Sequence, residues 1–134
     1  DSGFGTQINA TFVSGGDVDI DRDDTSRQFI LPGLGDSSNF SLFYEDSFVT
    51  ARVALNTRGE TVAGFGNYDQ PLYVEERNQW DLSLALNVAE DAVVFYEVQN
   101  VNDEPTRLYA RYQEMLFLSQ DHGPIHRLGF RYKF

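Results

Sequence analysis

The densest group of potential metal ligands in this sequence is an acidic run near its start. Asp17, Asp19 and Asp21 recur at every second residue, and Asp23 and Asp24 follow directly. Calcium-binding loops use this spacing because alternate carboxylates can turn their oxygen atoms toward one ion. The run lacks the glycine and the distal glutamate of an EF-hand. Two interpretations therefore stay open, a calcium site at Asp17, Asp19 and Asp21 or a solvated acidic loop.

No group of side chains in the sequence has the pattern of a catalytic site. His122 and His126 stand close together, but Gly123-Pro124 between them disfavours a shared helical face, and no third ligand has suitable spacing. Cysteine is absent, and so are a Gly-x-Ser-x-Gly elbow and a phosphate-binding glycine motif. We therefore expect no enzymatic activity and no resident cofactor, with calcium as the one open question.

Length and composition restrict the class of protein. The 134 residues suffice for one domain, and 41% hydrophobic content with 14% aromatic residues is too apolar for a disordered tail. A net charge of −11 argues against a nucleic-acid partner. The start, Asp1-Ser2-Gly3, lacks the basic and apolar segments of a signal peptide, so for an exported chain we expect this to be a mature or internal start.

Six segments are predicted to form β-strands, most of them because apolar residues alternate with polar ones at a period of two. The segments are residues 4–13, 38–45, 48–58, 79–88, 92–101 and 125–134. No stretch shows a clear helical period, although residues 108–118 have room for a helical turn. No run approaches the roughly 18 apolar residues of a membrane-spanning helix, but strands of a membrane barrel escape that test because they alternate.

The last segment shows a strict alternation, with an aromatic-rich face and a basic face. Leu128, Phe130, Tyr132 and Phe134 alternate with Arg127, Gly129, Arg131 and Lys133. This pattern is typical of an outer-membrane barrel strand, in which aromatic side chains face the lipid interface and basic side chains face a watery lumen.

The lengths of the connections give a second indication. Residues 14–37, 59–78 and 102–124 form long connections rich in turn residues, whereas Asp46-Ser47 and Ala89-Glu90-Asp91 form short ones. Outer-membrane barrels have this regular asymmetry, with long loops outside the cell and short turns in the periplasm. Counting strands forward then predicts a periplasmic C-terminus.

Together these segments resemble the C-terminal barrel of TonB-dependent outer-membrane receptors. The resemblance is carried by Trp80-Asp81-Leu82-Ser83-Leu84, Phe95-Tyr96-Glu97-Val98-Gln99-Asn100, Asn102-Asp103-Glu104-Pro105 and the terminal Leu128-Gly129-Phe130-Arg131-Tyr132-Lys133-Phe134. Residues 48–58 are also similar to the family, in the pattern of Phe48, Ala51-Arg52, Asn56 and Arg58.

The resemblance implies a barrel of about 22 strands around an N-terminal plug, in the outer membrane of a Gram-negative bacterium. Such a receptor binds a scarce nutrient, either an oligosaccharide or a ferric siderophore, and imports it with energy supplied through TonB. We expect residues 1–134 to be an antiparallel transmembrane barrel segment of about six strands, without the plug. Its partners would be the lipid bilayer, the rest of the receptor or other chains that complete the barrel, and the TonB complex through the missing N-terminal part.

The alternation of side chains also predicts residues that face the lumen. Arg52, Asn56, Arg58, Glu97 and Gln99 are candidates for the substrate path, and the same face of the last strand carries Arg127 and Arg131. A second interpretation is that these side chains bond to the plug or to each other. Aromatic residues in the connections could stack on sugar rings or on an aromatic chelator, or they could form loop cores. They are Phe65, Tyr68, Tyr73, Tyr109 and Tyr112.

Phe130, Tyr132 and Phe134 resemble the signal read by the barrel-assembly machinery. Two alternatives to the receptor remain open. One is a soluble all-β carbohydrate-binding module with an acidic calcium loop, and the other is a small pore built from several such chains. The face of residues 79–88 that carries Trp80 discriminates between receptor and soluble module, because it would contact lipid in the first and a packed second sheet in the second.

Overall fold

A computed structural model describes residues 3–14, 19–24 and 26–134, and it shows an all-β fold, as predicted. In chain order the strands are β1 (Phe4–Thr11), β2 (Ser37–Glu45), β3 (Val49–Arg58), β4 (Thr61–Phe65), β5 (Pro71–Val74), β6 (Arg77–Ala89), β7 (Ala92–Gln99), β8 (Thr106–Ala110), β9 (Leu116–Gln120) and β10 (Ile125–Tyr132). One short turn of 3-10 type lies at Asn67–Asp69. Within the described ranges no helix has the length and apolar character needed to cross a membrane.

The six predicted strands form one antiparallel sheet in the order β1-β2-β3-β6-β7-β10. All six are confirmed, with ends that differ from the predicted ones by up to two residues. The sheet is open, since β1 and β10 each pair with a single neighbour in the part of the chain that the structure describes. The three long connections leave from one end of this sheet, and the two short turns lie at the other.

Local hydrogen bonds explain the short turn between β2 and β3. The Asp46 carboxylate accepts hydrogen bonds from the backbone N–H groups of Phe48 and Val49, both at 2.8 Å, and from the Tyr44 hydroxyl at 2.7 Å. Aspartate favours such turns because its side chain can replace a backbone acceptor. This arrangement fixes the register of β2 against β3.

Two long connections contain strands that the sequence pattern did not predict. Residues 59–78 include β4 and β5, residues 102–124 include β8 and β9, and the four strands form a second antiparallel sheet in the order β4-β5-β8-β9. The expectation of about six strands was therefore too low, and that of a helical turn within residues 108–118 was wrong. These strands have four or five residues each, too short for a clear alternation.

Cross-strand register aligns the apolar side chains of the six-stranded sheet on one face. The rows run across the strands as Phe4-Tyr44-Ala51-Leu84-Tyr96-Leu128, Thr6-Leu42-Val53-Leu82-Val98-His126 and Ile8-Phe40-Leu55-Trp80. Many of these side chains are exposed, among them Ile8 (70%), Leu42 (44%) and Leu128 (76%). The second sheet therefore leaves much of this apolar face exposed.

The apolar face ends at a row of small side chains, three of which are polar. Ala10, Ser38, Thr57 and Asn78 pair in register directly beyond the row that contains Phe40 and Trp80. The hydroxyl groups of Ser38 and Thr57 are hydrogen-bonded to each other at 2.6 Å. The long connections begin just past this row, so a sharp boundary separates the apolar band from the rest of the molecule.

Two glycines on the opposite face allow large aromatic rings to lie across neighbouring strands. The Phe43 ring lies over Gly5, and the Phe95 ring lies over Gly129. A Cβ atom at either glycine would overlap the ring. The first and last strands of the sheet are thus each joined to their neighbour by the same aromatic–glycine pairing.

Candidate polar-face site

The polar face of the six-stranded sheet contains a concavity of about 320 Å³. Amide, hydroxyl and charged side chains from β2, β3, β6, β7 and β10 make up most of its wall. The lining residues with polar side chains are Asn39, Arg52, Asn56, Asp81, Ser83, Glu97, Gln99 and Arg127. Such a set offers hydrogen-bond donors and acceptors to a polar ligand.

Asp81 lies at the centre of a hydrogen-bond network on this face. One carboxylate oxygen accepts from Asn56 Nδ2 at 2.7 Å, and the other accepts from Gln79 Nε2 at 2.7 Å and from the Asn100 backbone N–H at 3.0 Å. None of the described arginines or Lys133 forms an ion pair with this carboxylate. The hydrogen-bond donors to the Asp81 carboxylate described here are therefore all neutral groups.

The carboxylate also sets the orientation of the neighbouring amides. Because Asp81 can only accept, Asn56 and Gln79 turn their NH2 groups toward it and their carbonyl oxygens away. Asn56 Oδ1 then accepts from Asn39 Nδ2 at 2.5 Å, and Gln79 Oε1 accepts from Arg77 Nη2 at 2.7 Å. The result is a directed polar chain across β2, β3 and β6.

The predicted substrate-path residues fall into two neighbouring places. Arg52, Asn56, Glu97 and Gln99 line the same concavity, whereas Arg58 lines an adjacent concavity of about 330 Å³ at the end of β3. Their contacts differ in strength. Glu97 forms an ion pair with Arg127 at 2.9 Å, and Arg52 Nη2 donates to Ser41 Oγ at 3.3 Å. Their role in a substrate path stays a prediction.

The Asn102-Asp103-Glu104-Pro105 element joins β6 to the end of β7. Asn102 Oδ1 accepts from the Trp80 backbone N–H at 2.9 Å, and Asn102 Nδ2 donates to the Asn78 carbonyl at 2.7 Å. The side-chain amide thus replaces a strand backbone beside β6. Asn100, which is 6% exposed, exchanges hydrogen bonds with the Glu104 backbone. These hydrogen bonds give the element a structural role, because they hold it against β6 and the end of β7.

A second polar cluster joins the first long connection to the four-stranded sheet. The Arg22 guanidinium lies over the Tyr73 ring, 4.3 Å from its centroid, and forms an ion pair with Glu60 at 3.0 Å. It also donates to the Arg111 carbonyl at 2.8 Å, while Arg111 Nε donates to the Arg22 carbonyl at 2.5 Å. We call Arg22, Glu60, Tyr73 and Tyr109 the Arg22 clasp.

The clasp shifts the ionisation of its tyrosines. Tyr73 and Tyr109 stack with ring centroids 5.3 Å apart and are 5% and 2% exposed. Burial, and secondly the hydrogen bond that the Tyr109 hydroxyl donates to Glu60, raise the pKa of Tyr109 to about 12. Burial also raises the pKa of Tyr73. Both phenols therefore remain neutral at physiological pH.

The aromatic residues of the connections serve different purposes. Tyr73 and Tyr109 form the core of the second sheet, and the Tyr112 hydroxyl donates to Asp23 at 2.5 Å. Phe65 ends β4, whereas Tyr68 is 87% exposed. The loop-core interpretation thus holds for Tyr73 and Tyr109, and Tyr68 keeps a free ring surface.

The calcium prediction falls partly outside the described residues. Asp17 is not among them, while Asp21 accepts from the Asp23 backbone N–H at 2.9 Å. Asp23 forms an ion pair with Arg111 at 3.3 Å. In residues 3–14, 19–24 and 26–134, no three histidine, aspartate or glutamate side chains come together as a metal site. Calcium binding at Asp17, Asp19 and Asp21 stays a prediction.

The terminal aromatic residues lie on or beyond the apolar face of β10. Phe130 and Tyr132 are 63% and 52% exposed, with stacked rings whose centroids are 6.5 Å apart. Phe134 lies past the end of β10 and meets the Tyr132 ring edge-on at 5.3 Å. The recognition of Phe130, Tyr132 and Phe134 by the barrel-assembly machinery stays a prediction.

Several residues of these clusters had no site role in the sequence interpretation, among them Asp81, Arg77 and Arg22. Asp81 was visible as an isolated acid on the polar positions of a strand, next to amide-bearing neighbours. Arg77 lay outside the predicted strand and was therefore not given a face. Arg22 had no detectable signal, because its partners Glu60 and Tyr73 are far away in sequence.

Comparison with known proteins gave no relative. No protein-family model, no curated protein and no solved structure matches the chain.

Proposed function

We propose that this chain is the C-terminal part of the barrel of a TonB-dependent receptor that imports a scarce nutrient across a bacterial outer membrane. In this proposal the apolar face of the six-stranded sheet contacts lipid, and the polar face lines the lumen. The four-stranded sheet lies outside the cell. The rest of the receptor completes the barrel and supplies the plug and the contact with TonB.

The observation that carries the proposal is the large exposed apolar face. Phe40, Val53 and Trp80 lie on three different strands of this face and are 41%, 40% and 39% exposed. Leaving such a surface in water is costly, at about 25 cal/mol per Å² of apolar area. Soluble monomers rarely expose contiguous apolar patches beyond a few hundred Å². A hydrocarbon environment removes this cost.

The boundary of the apolar face also fits a bilayer. On β6 the apolar positions run from Trp80 to Val88, close to the roughly 9–11 residues that a tilted strand needs to cross a membrane. Aromatic side chains stand near both ends, Phe40 and Trp80 beside the polar row and Tyr132 near the short turns. Aromatic girdles at the two interfaces are typical of outer-membrane barrels.

The soluble carbohydrate-binding module fits the geometry less well. It requires a second sheet packed over the face that carries Trp80, as in a β-sandwich. The second sheet instead buries its own tyrosines, and the Trp80 side chain stays 39% exposed. No observation in the described residues favours the module over the receptor.

Single cysteines on adjacent residues test the proposal directly, because the chain contains no cysteine of its own. Leu82 and Ser83 lie on opposite faces of β6. In cells that express the full receptor, Leu82→Cys should resist a water-soluble thiol reagent but react with a lipid-soluble one. Ser83→Cys should react with the water-soluble reagent. Thr57→Cys, in the polar boundary row, should be reachable from outside.

Equal labelling of Leu82→Cys and Ser83→Cys by the water-soluble reagent would contradict a lipid-facing sheet. So would recovery of the full protein in buffer without detergent. Resistance of Leu82→Cys to both reagents, with Ser83→Cys labelled by the water-soluble one, would instead indicate a packed second layer over this face, as the soluble module requires.

Assembly offers a separate test for Phe134. Removing this residue should lower the amount of assembled receptor in the outer membrane and leave ligand preference unchanged. An unchanged yield would argue against a role of the terminal aromatic residues in recognition by the assembly machinery.

A further inference from the structure

Positive charge is concentrated on the polar face of an otherwise acidic chain. The sequence has 21 acidic and ten basic residues. The strand positions of the polar face carry five arginines, Arg52, Arg58, Arg77, Arg127 and Arg131, and three acids, Glu45, Asp81 and Glu97. Acids outnumber basic residues about twofold overall, but on this face the ratio is reversed.

The arginines of the two sheets also differ in their partners. Arg107 and Arg111 of the second sheet and its adjoining turn form ion pairs with Glu75 and Asp23, as Arg22 does with Glu60. On the polar face only Arg127 forms an ion pair within the described residues. The other four arginines of the polar face form no ion pair with any described residue.

Two of these arginines face each other directly. Arg58 of β3 and Arg77 of β6 are cross-strand partners, a position at which like charges destabilise a sheet. The Arg77 Nε atom is buried and has no hydrogen-bond partner in the described part of the chain. A buried unpaired donor normally costs about 1–3 kcal/mol. An acceptor between the two guanidinium groups would remove both penalties.

The surroundings of Arg58 suit an oxyanion. The concavity of about 330 Å³ next to it is lined by hydroxyl and amide side chains, including Asn9, Thr11, Ser37 and Asn56, and Arg58 is its single charged residue. Arg58 also lines a neighbouring concavity together with Asp36 and Glu76, but it forms an ion pair with neither of them. The hydroxyl and amide side chains of the first concavity can donate hydrogen bonds to carboxylate oxygens without repelling them.

We infer that Arg58 and Arg77 form an anion-binding site at the outer end of the polar face, and that the ligand it takes carries carboxylate groups. The inference rests on the proposed function because it takes this face as the wall of the substrate path. Arginine binds carboxylates through two parallel N–H donors, which gives both strength and orientation. The two ligand sources that share this chemistry are an acidic saccharide and a carboxylate chelate of iron.

Binding to the full receptor in detergent tests the site with three probes. Trigalacturonate represents an acidic saccharide, ferric citrate represents a carboxylate chelate, and galactotriose is the neutral control. One of the two anionic probes should bind measurably and galactotriose should not. Raising the salt concentration from 50 to 500 mM should weaken binding, because the site faces water.

Substitutions identify the residues responsible. Arg58→Gln and Arg77→Gln should each weaken binding of the anionic probe about tenfold, as expected for loss of a charged hydrogen bond. Arg58→Lys keeps the charge but loses the paired donors and should give an intermediate loss. Arg27→Gln removes the same charge from the first connection and should leave binding unchanged. Thermal unfolding of each variant shows whether the protein remains folded.

Three results would each overturn the inference. They are equal binding of galactotriose, failure of both anionic probes to bind, and undiminished binding by the Arg58→Gln, Arg77→Gln double variant. A double variant that loses thermal stability while binding is unaffected would assign these arginines to contacts with the plug. Failure of the proposed function would be seen independently in the labelling of Leu82→Cys and Ser83→Cys.

Discussion

The two sheets of this chain differ in how far their aromatic side chains are buried. The four-stranded sheet buries Tyr73 of β5 and Tyr109 of β8, which are 5% and 2% exposed. The six-stranded sheet leaves Phe130 and Leu128 63% and 76% exposed on its apolar face. One sheet therefore has a small core of its own, and the other has an apolar face that the described part of the chain leaves uncovered.

Because of this difference, we expect different residues to stabilise each sheet. Changes at Tyr109 should affect the second sheet and leave the larger sheet intact, because hydrogen bonding between neighbouring strands holds the latter together. Changes at the glycine–aromatic pairs should do the reverse. The predictions below test this separation, in order of decreasing expected effect.

Tyr109→Ala should cause the largest loss. It removes a buried aromatic ring and its hydrogen bond to Glu60, and such truncations cost about 3–5 kcal/mol. Amide hydrogen exchange of β4, β5, β8 and β9 should accelerate strongly, whereas that of β6 and β7 should not change. Tyr68→Ala, at an exposed site in the turn between β4 and β5 of the same sheet, is the control and should change little. Equal acceleration in both sheets would contradict their independence.

Gly129→Val should destabilise the edge of the larger sheet by about 1–3 kcal/mol, the usual range for overpacking. The new side chain would overlap the Phe95 ring and weaken the pairing of β10 with β7. Thermal unfolding of the receptor and exchange of β10 amides measure the effect. The double change Gly129→Val, Phe95→Ala should recover part of the loss. Without such recovery, the ring contact is not the cause.

The sequence predicted the larger sheet well because its strands have eight or more residues, long enough for alternation to show. It did not predict the second sheet, since β5 has four residues and pairs with β8 from a distant connection. For the site, alternation placed Arg52, Asn56 and Glu97 on one face. It could not give the cross-strand register that brings Asn56 to Asp81, which only pairing of distant segments determines.

Alkaline pH should separate Tyr109 from the exposed tyrosines. Its pKa of about 12 exceeds the ordinary value of 10.0, so folding favours the neutral phenol. The stabilisation is complete below about pH 10 and is lost as the pH rises toward 12, by about 2 kcal/mol. The tyrosinate absorbance of the wild type minus that of Tyr109→Phe should show one phenol that ionises near pH 12. A step near pH 10 would refute the buried hydrogen bond.

The smallest effect concerns the attachment of the first connection to the second sheet. Arg22→Gln removes the ion pair with Glu60 and the contact with the Tyr73 ring. Because the Arg22 side chain is 37% exposed, we expect a local loss of about 1 kcal/mol. Local opening should then be about fivefold more frequent, and limited proteolysis within residues 26–36 should accelerate in proportion.

Arg27→Gln is the matched control for this change, since Arg27 lies in the same connection and forms no ion pair with any described residue. Unchanged cleavage in Arg22→Gln would mean that other contacts hold the connection. The candidates are the Asp23–Arg111 ion pair and the hydrogen bond from the Val13 backbone N–H to Asp36. The second contact lies beside β1 and β2, so in that case the connection would belong with the larger sheet, and the separation between the two sheets would be less complete than their cores indicate.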